Sequence, residues 1–329
     1  GVGEDRIETG SGEDVVLGDG GTAVFAADGT RSSIETGDAD QGGDDTISIA
    51  GGNNVVLGGL SSNDAGDIII TGAGSDLVLG DHGLVRYASG VLTSVASTDF
   101  GQGGKDTVNT GEGTNTVIGG FGTDSLTSGA GADILTGDNA EITFTSGTLA
   151  GGIAISISST DADDSTGGAD IIVAGDGANR VIGGSGSDTI TTGDGDSTIF
   201  GDHGSFTYTD TGILTKVISI LEDQGTADTI SSVDGNNLII AGQGGDEVNV
   251  GIGGNIVLGD GGTAVFAADG TRSSIETGDA DLGGDDTISI PDGNNLIMGG
   301  YGADTITTGD GNDIIFGDDG EMKYTDGIL

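Results

Sequence analysis

The chain has 329 residues, with 54 Asp or Glu against 8 Lys or Arg, so its formal net charge is −46. Glycine supplies 71 residues, cysteine none and aromatic residues 4%, which excludes disulfides, thiolate metal sites and a thick globular core. The shortage of basic residues argues against nucleic acid and anionic membranes as partners, and no apolar run approaches the roughly 18 residues that span a membrane.

From the N-terminus onward, the chain divides into modules of about sixty residues, which we expect to continue beyond both ends of this sequence. Each full module holds four nine-residue repeats, a Gly-Asp dipeptide and an arm of about twenty residues. One stretch of 23 residues occurs twice without change, at 18–40 and 259–281, as linear arrays tolerate. The predicted modules are 1–41 (partial), 42–102, 103–166, 167–225, 226–282 and 283–329 (partial).

The arms alternate polar and apolar residues around a central glycine, which predicts β-hairpins. In the first arm Asp28-Gly29 indicates a tight turn of the primed type. Six arms each carry an aromatic residue seven positions after the Gly of Gly-Asp. This ring either packs the arm onto the repeats or contacts a neighbouring filament. The six residues are Phe25, Tyr87, Phe144, Tyr208, Phe266 and Tyr324.

Four consecutive repeats matched at a nine-residue spacing are hard to obtain from a helix, whose apolar residues recur every 3.6 positions. Three repeats, "GGFGTDSLT" (119–127), "GGSGSDTIT" (183–191) and "GGYGADTIT" (299–307), match the pattern G-G-x-G-x-D-x-U-x completely. The chain therefore resembles the RTX (haemolysin-type) calcium-binding repeat family. The resemblance covers the repeats but not the arms. It implies an all-β fold, a parallel β-roll in which each repeat is one half-turn and calcium ions lie between stacked loops along both sides.

Each repeat position also has a physical reason. Glycines allow a tight loop whose carbonyl groups point inward, the Asp at position six adds a hard anionic oxygen, and calcium prefers six to eight such oxygens. Position eight of the following short strand points into a core. About 20 ions would cancel most of the −46 charge. The predicted calcium ligands are Asp5, Asp14, Asp45, Asp67, Asp76, Asp106, Asp124, Asp133, Asp170, Asp188, Asp228, Asp246, Asp286, Asp304 and Asp313.

Other positions are predicted to ligate differently. The Asp of each Gly-Asp dipeptide resembles the opening of a fifth loop and can supply the last carboxylate of a row: Asp19, Asp81, Asp138, Asp202, Asp260 and Asp318. Asparagine keeps the oxygen but loses the charge, so weaker sites, or a role in the turn, are expected at Asn54, Asn115, Asn179, Asn237 and Asn295. Ser197 and Asn255 replace Asp in two further repeats, and four extra residues make the loop at 58–70 irregular.

Catalysis has little support in the sequence. His82 and His203 are interpreted as surface residues at loop tips. Neighbouring carboxylates such as Asp44-Asp45 could serve a glycosidase, but nothing outside the repeats forms a pocket. A phosphate-binding loop is excluded because no helix and no Lys follows "GGSGSD". Thr-rich strands resemble ice-binding repeats, but their outward residues vary and the arms are expected to interrupt the face.

The function expected is structural rather than enzymatic. The chain would be a calcium-dependent fibre, stalk, matrix or surface-layer segment of a secreted or cell-surface bacterial protein, exported by type I secretion as the resemblance implies. Two alternatives stay open: the extender region of a large adhesin, and the calcium-responsive secretion region of an exported enzyme. Self-association, end to end or side by side, is the expected partnership, because the ends of a β-solenoid leave strand edges open.

Overall fold

The computed structural model describes residues 3–37, 41–61, 65–147, 151–161 and 164–325. These residues form β-strands, numbered here in chain order, and one 3-10 turn (Asp164–Thr166), so the expected all-β class is confirmed. The strands make three sheets of eleven, which we call the outer, middle and hairpin sheets. Within the described ranges, no helix is long and apolar enough to cross a membrane.

The outer sheet is parallel, and its strands come from alternate repeats. In spatial order they are β1 (Arg6–Ser11), β5 (Thr46–Gly51), β7 (Ile68–Ile70), β11 (Thr107–Asn109), β13 (Ser125–Thr127), β17 (Ile171–Ala174), β19 (Thr189–Thr192), β23 (Thr229–Ser232), β25 (Glu247–Val250), β29 (Thr287–Asp292) and β31 (Thr305–Asp310).

The middle sheet is also parallel and takes the intervening repeats. Its strands are β2 (Val15–Leu17), β6 (Val55–Leu57), β8 (Leu77–Leu79), β12 (Thr116–Ile118), β14 (Ile134–Thr136), β18 (Arg180–Ile182), β20 (Thr198–Phe200), β24 (Leu238–Ile240), β26 (Ile256–Leu258), β30 (Leu296–Met298) and β32 (Ile314–Phe316).

The hairpin sheet is antiparallel and consists of the arms. Its strands are β3 (Gly21–Phe25), β4 (Arg31–Thr36), β9 (Gly83–Ala88), β10 (Val91–Ser97), β15 (Ala140–Gly147), β16 (Gly152–Ser159), β21 (Gly204–Tyr208), β22 (Leu214–Ser219), β27 (Gly262–Phe266), β28 (Arg272–Thr277) and β33 (Glu321–Lys323).

Two thin apolar layers lie between the three sheets. Between the outer and middle sheets, position eight of every repeat except the last points into the apolar layer, as Ile69 and Val78 do. Between the middle and hairpin sheets, the residues on either side of position eight pack against the arms, for example Leu79 against Val85. The middle sheet lies between the other two sheets, and most of its strands are continuous apolar runs, as expected for buried parallel strands. The predicted parallel β-roll is confirmed.

The arms form a layer that the sequence did not predict. Each hairpin pairs with the next one, for example β10 with β15 and β16 with β21, so the separate arms become one continuous sheet. The hairpins start at the ends of middle-sheet strands and leave the outer sheet uninterrupted. The expectation that they interrupt the Thr-rich face was therefore wrong. That face carries Thr, Ser and Asn together with exposed Ile68, Ile70 and Ile171.

The aromatic residues of the arms pack inward, as the first of the two interpretations predicted. Tyr87 and Phe144 are buried, and Tyr208 and Phe266 pack against the same apolar layer. Phe25 is the exception, with 55% of its surface exposed, because β3 lies at the edge of the hairpin sheet. The rings therefore attach the hairpin sheet to the middle sheet.

The turn of the first hairpin differs from the prediction. The Gly29 amide donates to the Ala26 carbonyl and the Ala26 amide donates to the Thr30 carbonyl, which makes a five-residue loop. Gly29 has φ +85°, whereas Asp28 keeps a negative φ, so a two-residue primed turn is excluded. The Asp28 carboxylate instead accepts hydrogen bonds from the amide and hydroxyl of Thr30.

We expect Phe206→Ala to lower the free energy of unfolding of the calcium-loaded protein by about 3–5 kcal/mol. Phe206 of β21 is fully buried, and its ring lies 5.1 Å from that of Phe200 in the middle sheet. Urea denaturation at fixed calcium measures the loss. Phe25→Ala is the matched control at an exposed ring, and an equal loss in both variants would contradict the described packing.

Candidate calcium-binding rows

The loops between the sheets stack into two rows on opposite sides of the solenoid. An aspartate stands directly before each outer strand, in loops that reach the outer sheet either from the middle sheet or from a hairpin. We call this set the aspartate row: Asp5, Asp45, Asp67, Asp106, Asp124, Asp170, Asp188, Asp228, Asp246, Asp286 and Asp304. Loops that lead back form the asparagine row: Asp14, Asn54, Asp76, Asn115, Asp133, Asn179, Ser197, Asn237, Asn255, Asn295 and Asp313.

The aspartate row is a continuous ladder of hydrogen bonds. The backbone amide of each member donates to Oδ1 of the next one, for example from Asp106 to Asp124 at 2.7 Å and from Asp124 to Asp170 at 2.6 Å. The irregular loop at 58–70, whose residues 62–64 lie outside the described ranges, does not break this register. Asp67 accepts from the amide of Asp45 and donates to Asp106. One oxygen of each carboxylate is thereby fixed.

The second oxygen of these carboxylates has no donor. From Asp45 to Asp304, each Oδ2 in the row is buried without a hydrogen-bond partner. Buried polar atoms are almost always paired, and an unpaired charged oxygen is costly. Ten such oxygens in one line therefore indicate that something positive belongs beside them.

Glycine backbones complete the surroundings of these oxygens. A Cβ placed on Gly119 would lie 2.4 Å from Asp124 Oδ2 and 2.1 Å from the Gly137 carbonyl oxygen. On Gly137 it would lie 2.0 Å from Asp170 Oδ2 and 2.5 Å from the Gly183 oxygen. Carboxylate and carbonyl oxygens thus converge on one space, and only glycine leaves that space open. A set of hard oxygens without donors fits Ca²⁺.

The pKa values of the carboxyls in the aspartate row agree with a calcium ion at these oxygens. Burial, followed by the neighbouring Asp106 carboxylate, raises the pKa of Asp67 to about 8. Burial likewise raises the pKa of Asp228 to about 8 and of Asp286 to about 9. Without a cation these carboxyls would hold protons at neutral pH, because burial disfavours their charged form.

The calcium-free protein should therefore gain β-structure on acidification. The raised pKa values mean that the folded form binds more protons than the unfolded chain, whose Asp pKa is 3.8. This stabilisation is complete below about pH 3.8 and is lost as the pH rises through about 8 to 9. Circular dichroism of calcium-stripped protein from pH 9 to 4 measures it. A β-signal that is largest at alkaline pH would contradict the prediction.

The aspartates of the Gly-Asp dipeptides, except the exposed Asp318, lie beside the aspartate row and accept hydrogen bonds from its loops. Asp81 accepts from the Gly104 amide at 3.0 Å and from the Phe121 amide at 2.6 Å, one on each oxygen. Asp260 accepts in the same way from Gly284 and Tyr301. Each of these aspartates therefore joins two successive loops. The predicted ligand role remains a prediction, and holding the loops is the role that the contacts support directly.

The asparagine row has a similar ladder, which is broken between Asn179 and Ser197 because serine has no Oδ1, and its chemistry differs. The Asn115 amide donates to Asp133 Oδ1 at 2.7 Å, while its side-chain amide donates to the carbonyls of Gly111 and Gly113. Asp76 accepts from the Thr71 hydroxyl on the oxygen that is unpaired in the other row. Ser197 donates weakly to the Gly177 carbonyl at 3.4 Å. Protein donors thus satisfy much of this row, whereas Asp14 Oδ2 and Asp133 Oδ2 are buried without a donor.

Predicted ligands at the ends of the array are less enclosed. Asp5 and Asp318 are exposed, and Asp14 and Asp313 are half-buried, because no further loop covers them. A hydrogen bond from the Asn295 amide lowers the pKa of Asp313. These four positions lack the burial that distinguishes the central aspartates.

Three buried residues near the hairpins were not predicted correctly. His82 and His203 are 1% exposed, so their interpretation as surface residues was wrong. They lie where the middle sheet joins the hairpin sheet, and burial lowers the pKa of His82. Asp161 is also buried and accepts from Asn139 and Thr166. It lies outside the repeats, so no periodic signal could have found it.

Side chains alone do not make a metal cluster here. Among the described residues, no three His, Cys, Asp or Glu side chains come together in a metal-binding group. Loop carbonyls must therefore supply most of the oxygens at each site, as the glycine positions indicate.

Comparison with known proteins agrees with this geometry. The family model of the RTX calcium-binding nonapeptide repeat matches in four copies, at residues 1–23, 100–139, 164–204 and 292–321. No curated protein and no solved structure matched the chain in the corresponding comparisons. The resemblance found in the sequence is confirmed: the chain contains RTX calcium-binding nonapeptide repeats.

Proposed function

We propose that the chain is a calcium-dependent structural segment of a secreted or cell-surface bacterial protein, serving as a fibre, stalk, matrix or surface-layer element. The observation that carries this proposal is the line of buried Oδ2 atoms from Asp45 to Asp304, none of which has a donor. Calcium on these oxygens would join successive loops and hold the three sheets as one rod. No catalytic role is proposed for this segment.

Calcium would supply positive charge between the loops, and residues of the chain would hold those loops in position around it. Oδ1 of each aspartate holds the preceding amide, the glycines keep the space open, and the Gly-Asp carboxylates join neighbouring loops. Extracellular-type calcium sites, with Kd on the order of 10⁻⁴ to 10⁻³ M, would stay empty in cytosol and fill outside the cell. The segment would then leave the cell unfolded and fold afterwards.

Small-angle X-ray scattering in calcium tests the rod. Eleven stacked strands at a spacing of about 4.8 Å predict a body about 50 Å long, and the three sheets predict a constant cross-section. We expect that shape at 10 mM calcium and an expanded chain in chelator. A compact globule in both conditions, or an expanded chain in both, would refute the proposal.

We also propose that copies of this segment associate with one another. At the two ends of the array, β1, β2 and β3 on one side and β31, β32 and β33 on the other have an edge without a partner among the described strands. Exposed Ile315 and Tyr301 lie at one end, and Val24 and Phe25 at the other. Sedimentation velocity over a range of concentrations in calcium should detect larger species, and a single monomeric species at all concentrations would exclude this.

A further inference from the structure

We propose that calcium binds the two sides of the solenoid unequally: between Asn179 and Asn295 the asparagine row takes no ion, because side-chain amides occupy the loops where calcium would bind. This inference rests on the proposed calcium-dependent function and differs from the two equivalent rows that the repeat family implies. Five successive members of the row, Asn179, Ser197, Asn237, Asn255 and Asn295, have no carboxylate.

The orientation of these amides follows from the ladder. The Ser197 amide donates to Asn237 Oδ1 at 3.0 Å, the Asn237 amide to Asn255 Oδ1 at 3.0 Å, and the Asn255 amide to Asn295 Oδ1 at 3.1 Å. A backbone N–H requires an acceptor, so the oxygen of each side chain must face it. The nitrogen is then directed into the loop.

Inside the loop, that nitrogen uses the groups that would otherwise bind a cation. Asn179 Nδ2 donates to the Gly175 carbonyl at 2.8 Å, and Asn255 Nδ2 donates to the Gly251 carbonyl at 3.1 Å. Asn255 Nδ2 also reaches Asn295 Oδ1 at 3.2 Å. A donor N–H bound to these oxygens replaces the positive charge of an ion, and a calcium ion could enter only by displacing it.

The aspartate row, on the opposite side of the same module, has the same stacking but different chemistry. Asp228 and Asp246 stack as Asn237 and Asn255 do, and the Asp228 amide donates to Asp246 Oδ1 at 2.7 Å. Their Oδ2 atoms are buried without donors, whereas in the described structure the nitrogens and oxygens of the five uncharged side chains are not among such orphaned atoms. The demand for a cation is therefore confined to one side here.

Matched double substitutions in the full chain test this inference. Calcium bound per chain is measured by equilibrium dialysis at saturating calcium, with folding checked by circular dichroism. We expect Asn237→Asp with Asn255→Asp to raise the count by at least one ion, because a new carboxylate pair opens a site. We expect Asp228→Asn with Asp246→Asn to lower the count, which shows that the assay resolves single sites.

The outcomes separate the two proposals. An unchanged count in the folded Asn237→Asp, Asn255→Asp variant would overturn the inference, because the wild-type site would already hold an ion. A wild-type chain that binds no calcium would instead refute the proposed function. If that variant does not fold, hydrogen exchange of the wild-type Asn side chains decides. Protected Nδ2 protons at Asn179 and Asn255 support the inference, and exchange at the rate of solvent-exposed amides overturns it.

Discussion

Removal of calcium from the folded chain is expected to abolish most of its β-structure and to expand it. Ten buried carboxylate oxygens in one line would then face each other without a counter-ion, in a chain with a net charge of −46. Two thin apolar layers give little to oppose this repulsion, and ordering 71 glycines costs much conformational entropy. Binding and folding should therefore be one cooperative event.

A calcium titration followed by far-UV circular dichroism and sedimentation measures this effect. The midpoint should fall on the order of 10⁻⁴ to 10⁻³ M, and magnesium at the same concentration should be a poor substitute because it prefers a rigid octahedral site. Raising the ionic strength with sodium chloride controls for simple screening of charge. A chain that is equally β-rich in chelator would show that the aspartates only solubilise the turns.

Asp170→Asn is expected to act with opposite signs in the absence and presence of calcium. Asp170 is buried, its Oδ1 accepts from the Asp124 amide, and burial with the Asp138 and Asp188 carboxylates raises its pKa well above the usual value. Asparagine keeps that acceptor and removes the buried charge, so the calcium-free fold should become more stable. The anionic ligand is lost, so calcium affinity at the adjacent sites should fall by at least about tenfold.

Urea denaturation at pH 7, in chelator and in 10 mM calcium, separates the two effects. At this pH the raised pKa means that the wild-type carboxyl must take up a proton or bear an unfavourable charge, and the substitution removes that cost. Asp210→Asn removes the same charge at an exposed position of a hairpin turn and should change little in either condition. A change of the same sign in both conditions for Asp170→Asn would exclude its role as a ligand.

The sequence determined the solenoid, because its signals are local and repeated. Glycine at Gly302, an aspartate two residues later and Ile306 two residues after that define one loop and one inward side chain. Repetition at nine residues brings every such loop into register. Periodicity predicted the parallel sheets, the inward position eight and the line of aspartates. The hairpins were also predictable from alternation, although their turn type was not.

Only the tertiary structure decided how each hairpin packs against its neighbours and how each loop is hydrogen-bonded by the loop stacked on it. Phe25 and Phe266 lie in identical segments, yet Phe25 is exposed and Phe266 packs against the core, since only the hairpin of Phe266 has strands of neighbouring arms on both sides. Contacts between neighbouring loops likewise decide the chemistry of the aspartate and asparagine rows. An asparagine in sequence is either a weak ligand or a turn residue, and the stacked partner loop determines where its nitrogen points. Local pattern specifies each rung, whereas the satisfaction of buried polar groups depends on contacts between rungs.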